Sequence, residues 1–141
     1  MAEKNVEAHR AAHENWARRD FESAVSGMVE DFTFEDYPNG TTLMSRDQFK
    51  NAISGWAQAF SDAKLVNAAY HDAGDTSVAQ FVMEGTNDGP FGNRPATGRR
   101  VSLPACEIIH FDAEGRMRSG ESYFDLMSML VQLGHMEPPQ E

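Results

Sequence analysis

The stretch Asp31–Gly40, "DFTFEDYPNG", reads with a period of two. Phe32, Phe34 and Asp36 fall on one side, and Thr33, Glu35 and Tyr37 on the other. Two aromatic rings at that spacing mark a core-facing side, so the segment is a half-buried strand closed by the Pro38-Asn39-Gly40 turn. A carboxylate as the third member of that row is costly unless it has a partner or a purpose. Asp36 is therefore the first candidate for chemistry, and the alternative is a strand end whose side chain serves the turn.

Helical patterns flank this strand. From Glu3 to Arg19, Val6, His9, His13 and Trp16 share one stripe among charged residues. A short second helix is expected through Phe21, Ala24, Val25 and Met28. Ser45-Arg46-Asp47-Gln48 forms a capping box that opens a helix over Phe49, Ile53, Trp56 and Phe60. After Asp62, "KLVNAAYHD", "SVAQFVMEGT", "RRVSLPACEIIHF" and "RMRSGESYFD" read as four strands. The "NDGPFGNRPATG" and "DAEG" breaks suit antiparallel hairpins. "LMSMLVQLG" predicts a last helix ending at Gly134, with residues 135–141 as a frayed tail after one domain over 1–134. The order is α+β: helices on one side of a curved, mostly antiparallel sheet. Helices over a concave sheet make a cone, and a cone encloses a pocket.

With 141 residues the chain is long enough to bury a core or enclose a small cavity. Its net charge of -10 repels phosphate backbones and anionic lipid, which argues against nucleic-acid and membrane partners. No apolar run approaches a bilayer span and the amphipathic N-terminus is no signal peptide, so a cytoplasmic protein is expected. The single cysteine, Cys106, allows no internal disulfide and reads as core.

Two further carboxylates join Asp36. Glu107, in "PACEIIHF", shares a face with Ile109 and Phe111. Its structural reading is an ion pair with Arg99, Arg100 or Arg118 across the sheet. Asp125 stands where a strand becomes a helix, the place of an N-cap. A carboxyl facing the cavity would be desolvated and have its pKa raised toward the range of a proton-transfer group. His9 and His13, one helical turn apart, could grip a metal, but the sequence offers no third ligand of obvious spacing and no metal is expected. Both read as polar lining of the inner helix face or as surface residues. Trp16, Tyr37, Trp56, Phe60, Phe81, Phe91 and Phe124 are core by default and candidate walls of the pocket. No nucleophile elbow or phosphate-binding loop is present.

The runs "EGTNDGPFGNRPATGRRVSLP", "IIHFDAEGRM" and "YFDLMSMLVQLG" resemble the SnoaL-like branch of the NTF2-like, cone-shaped superfamily, over nearly the whole chain. The resemblance implies a curved sheet of about six strands with three or four helices, a homodimer packed through the sheet, and no cofactor. It implies a polyketide cyclase acting on a small hydrophobic carbonyl substrate: a carboxylate removes a proton next to a carbonyl and an intramolecular aldol step closes a ring. The cyclases' aspartate lies late in the chain, where Asp125 suits it best. Relatives carry a histidine where this chain has Asn87.

"FTFEDYPNGT" also resembles the first strand of ketosteroid isomerase. Asp36 falls on that enzyme's base, and Glu107 on its buried acid, whose raised pKa lets it donate to the oxyanion. The isomerase's tyrosine is unmatched: "AAHENW" leaves His13 or Trp16 nearest. Asp36 and Glu107 are thus opposed base and acid candidates, with Asp125 the cyclase-type alternative. The competing readings are a hydratase, epoxide hydrolase or hydroxylase of the same fold, or a binding or scaffolding module whose carboxylates are neutralised by arginines.

Overall fold

Six strands form one sheet in the order β2-β1-β6-β5-β4-β3 in the computed structural model, which describes residues 2–140. In chain order the elements are α1 (Ala2–Ala17), α2 (Phe21–Val25), β1 (Met28–Asp36), β2 (Thr41–Leu43) and α3 (Arg46–Ala59). They continue with β3 (Lys64–Asp72), β4 (Thr76–Thr86), β5 (Arg100–Phe111), β6 (Met117–Phe124) and α4 (Leu126–Leu133). Every pairing is antiparallel except β1 with β6. Register shifts in the β1–β6, β3–β4 and β5–β6 ladders act as bulges, and bulges bend and twist a sheet. The result is the cone expected from the α+β order.

The local signals explain the helix ends. The Ser45 side chain accepts from the Gln48 N–H, and such a cap stabilises a helix by about 1 kcal/mol. Gly134 stops α4 at φ 87°, a left-handed position that only glycine enters without strain. The second helix is shorter than expected: it ends at Val25, and Met28 opens β1 instead. β2 was not read from the sequence. Residues 135–140 follow α4 without helix or strand, and Glu141 of the expected tail lies outside the described residues.

Two apolar clusters fill the cone. One gathers Val25, Met28, Phe32, Phe34, Phe49, Ile109, Phe111 and Met117, and the other centres on Phe60, Met83, Leu103, Met129 and Leu133. Ile53 of α3 packs against both. Gly120 of β6 lets the floor close: a Cβ there would come within 2.8 Å of the Ile108 carbonyl and 3.0 Å of the Phe34 ring. Arg19 fastens the end of α1 to the end of α3, donating to the carbonyls of Phe60, Ser61 and Ala63. Among the described residues, no helix is long and apolar enough to cross a membrane.

Candidate active site

Between α1, α3 and the concave sheet face lies a cavity of about 140 Å³. Its wall is mostly apolar, with His13, Asp36, Glu107 and Ser122 as the polar exceptions besides the Cys106 thiol. The sheet register explains how three of these meet. Asp36 pairs with Ser122, Ser122 with Glu107, Glu107 with Ala79, and Ala79 with Tyr70. Paired residues point to the same face, so one row across adjacent strands carries the polar groups. At about 4.8 Å per strand, the backbones of Asp36 and Glu107 stand about 10 Å apart with Ser122 between them.

Helix α1 supplies the other half. His9 and His13 are one turn apart on its inner face, where Trp16 is also buried and donates to the Ile53 carbonyl at 2.8 Å. Both imidazoles reach Glu107: His9 Nε2 lies 2.8 Å and His13 Nε2 2.7 Å from Oε1. A carboxylate oxygen only accepts, so both Nε2 atoms carry hydrogen. His9 Nδ1 then meets the Ser77 hydroxyl at 2.8 Å, and His13 Nδ1 the Tyr70 hydroxyl at 2.7 Å. A continuous chain runs Ser77–His9–Glu107–His13–Tyr70, and the Arg10 guanidinium lies over the Tyr70 ring.

This chain sets the charges. Burial by itself pushes Glu107 upward, but the charge and hydrogen bond of His13, with those of His9, outweigh it and hold the carboxyl well below its ordinary range. Burial lowers His9, against the pull of Glu107. Burial also pushes the Tyr70 hydroxyl up to about 12, with Glu107 adding to the shift. The Cys106 thiol is raised by burial and then by Glu107, so it stays protonated and inert. Cys106 is half-buried at the cavity wall rather than in the core.

The structure supplies the third group that spacing did not reveal beside His9 and His13: Glu107, whose ligand atom lies within 4.8 Å of theirs. The three could converge on an ion. Ligands on one tetrahedral metal, with bonds of about 2.0–2.1 Å, sit about 3.3 Å apart. The observed 2.7 and 2.8 Å separations are those of hydrogen bonds, so the cluster is a hydrogen-bonded one.

Several expectations need correction. Glu107 pairs with histidines, not with Arg99, Arg100 or Arg118, and it is ionised, so it is not the raised, donating acid of the isomerase resemblance. Asp125 caps α4, accepting from Ser128 N at 3.2 Å, and does not line the cavity. Of the seven candidate aromatic walls, Trp16, Trp56, Phe81 and Phe124 line it. Tyr37 does not: it is 55% exposed and stacks on Tyr123 outside. Phe60 and Phe91 form a layer behind Trp56. Asn87 is a peg rather than a site residue. It is fully buried, donates to the Ala59 and Gly89 carbonyls and accepts from Thr97 N.

Asp36 does line the cavity, and it also takes part in its turn: its oxygens accept from Asn39 Nδ2 at 2.9 Å and Asn39 N at 3.4 Å. Asp36 thus faces the cavity and serves its turn at once. Tyr70, Ser77 and Ser122 were missed. The signal for Tyr70 and Ser122 lay in strand register, which a single sequence does not fix.

Solved structures share this architecture. A protein from Jannaschia sp. CCS1, provisionally described as a SnoaL-like polyketide cyclase, superposes with TM-score 0.87 at 19% identity, covering 99% of this chain and 96% of that one. AclR from Streptomyces galilaeus, provisionally described as a hydroxylase, gives 0.84 at 19% identity over 100% and 87% of the two chains. A Catenulispora acidiphila protein with a ketosteroid isomerase-like fold, solved in complex with trimethylamine, gives 0.76 at 20% over 91% and 92%. At these identities the likeness establishes the fold. No curated protein matches the sequence. Residues 6–133 match the family described as SnoaL-like polyketide cyclase, and the chain belongs to that family.

Proposed function

We propose that the cavity removes a proton next to a carbonyl of a small, polyketide-like compound and lets the resulting enolate close a ring by aldol addition. The observation that carries this reading is the row Asp36–Ser122–Glu107 facing an otherwise apolar cavity. Asp36 is the base, its carboxyl oriented by Asn39. The carbonyl oxygen sits toward Ser122, whose hydroxyl can donate to the developing oxyanion, while His13 stays bound to Glu107 and Tyr70. Glu107 does not touch the migrating proton; its negative charge and acceptor oxygen hold His9 and His13 in place. The proton taken by Asp36 returns to the alkoxide formed on ring closure, so the step balances without a co-reactant. The apolar walls fold the substrate on itself, and intramolecular alignment of this kind supplies much of a cyclase's rate.

A binding module would have arginines neutralising these carboxylates. Among the described residues, neither Asp36 nor Glu107 pairs with Lys or Arg. The test is α-hydrogen exchange of a neutral aryl ketone in deuterated water, followed by proton NMR. The wild-type protein should accelerate exchange, and Asp36→Asn should lower the acceleration by about a hundredfold or more while the melting temperature holds. Equal rates for the two proteins would sink the assignment.

A further inference from the structure

The reacting carbonyl is only part of what the cavity must recognise, and the rest of its wall has a definite charge character. Two carboxylates line it, and among the described residues no Lys or Arg does. The cations of neighbouring α3 are turned elsewhere: Lys50 meets Glu22 and Arg46 meets Glu30. The Asp36 oxygens accept from uncharged Asn39 groups, which orient the carboxylate without cancelling its charge. At the inner end both imidazole Nε2 hydrogens go to Glu107, and the Nδ1 atoms face hydroxyls. An anionic substrate would find no Lys or Arg side chain to pair with in the lining. Six aromatic side chains, Trp16, Phe34, Phe49, Trp56, Phe81 and Phe124, complete the lining. Aromatic faces carry the negative end of the ring quadrupole and attract cations. An apolar cavity lined by carboxylates focuses a negative potential, on a chain whose net charge is -10.

Building on the cavity as the reaction site, we propose that its substrate carries a protonated or quaternary amine seated between Asp36 and the aromatic wall. Neutral carbonyl compounds bind more weakly, and free carboxylates and phosphates are turned away. The amine's charge completes what Asn39 leaves uncompensated at Asp36.

Both tryptophans of the chain, Trp16 and Trp56, line the cavity, so intrinsic fluorescence reports its occupancy. Three probes of one shape separate the charges: choline, its isostere with carbon in place of nitrogen, and the tert-butylacetate anion. Choline should quench at about tenfold lower concentration than the neutral isostere, a gap within the usual reach of one cation–aromatic and carboxylate pairing. The anion should bind weakest. Asp36→Asn should bring choline and the isostere to within about twofold of one another, as expected when the charge pairing is removed. Trp56→Leu should narrow the gap in part, read through Trp16. Equal binding of the three, tightest binding by the anion, or no response to choline overturns the proposal. The two proposals fail separately: lost charge preference with ketone exchange intact refutes only the amine, and lost exchange with preference intact refutes only the proton transfer.

Discussion

The two ends of the cavity each carry a carboxylate, and the two are used differently. At the inner end Glu107 accepts from two imidazoles, each of which is held in turn by a hydroxyl from β3 or β4. At the other end Asp36 is held only by Asn39 of its own turn. Glu107 is thereby fixed and ionised, with little left to exchange. Asp36 is oriented but keeps lone pairs for a substrate. Position on one register row makes both carboxylates available; the partners from α1 decide which of them is structural.

The largest expected effect separates the ends outright. Asp36→Asn should cost about a hundredfold or more in ketone exchange and leave the unfolding midpoint in urea close to that of the wild type. Glu107→Ala should do the opposite first: stranding the buried His9 and half-buried His13 imidazoles costs on the order of 3 kcal/mol, read as a lower urea midpoint. Glu107→Gln, which keeps one acceptor, should recover part of that loss. If Glu107→Ala were as stable as the wild type, the inner end would not be the anchor described.

Acid should expose the same asymmetry. His9 is lowered in the fold from its ordinary 6.5, so below that value the unfolded chain binds a proton the folded chain refuses. Stability therefore falls as pH drops from 6.5 toward the lowered His9 value. Glu107 is lowered too, so its contribution is present above its ordinary 4.5 and is lost as pH falls further through the depressed value. Urea melts over this range should show both declines, and His9→Gln should flatten the first. A flat profile in the wild type would contradict the buried cluster. The smallest effect belongs to Asp125: Asp125→Ala should cost about 1 kcal/mol, Asp125→Ser little, and neither should alter ketone exchange. Loss of exchange in Asp125→Ser with stability retained would restore that residue as the base.

Much of this was legible in the chain. Period two in "DFTFED" placed Phe32, Phe34 and Asp36 inward, Ser45 announced α3, and Gly134 closed α4. These are local signals, written within one turn or one strand. The partner of Glu107 was not local: its histidines lie 94 and 98 residues away. The arginines offered by sequence proximity point elsewhere, as with Arg100, which pairs with Asp62 and Glu84. The clue that existed was complementarity, since a helix stripe with two histidines on its buried side needs an acceptor opposite. The parallel β1–β6 pairing was hidden for a similar reason, because a long crossover leaves no turn signature. Tyr37 could have been set aside from the start, since the alternation that turns Asp36 inward turns Tyr37 outward.

The most direct test of the account is a carboxyl-carbon NMR titration with the Glu107 resonance assigned through Glu107→Gln. The hydrogen-bonded cluster predicts that Glu107 stays ionised to a pH well below its ordinary 4.5. A Glu107 resonance that titrates near neutrality would contradict it, because the residue would then be the buried, protonated acid of an isomerase-like site and Asp36 would lose its distinct role.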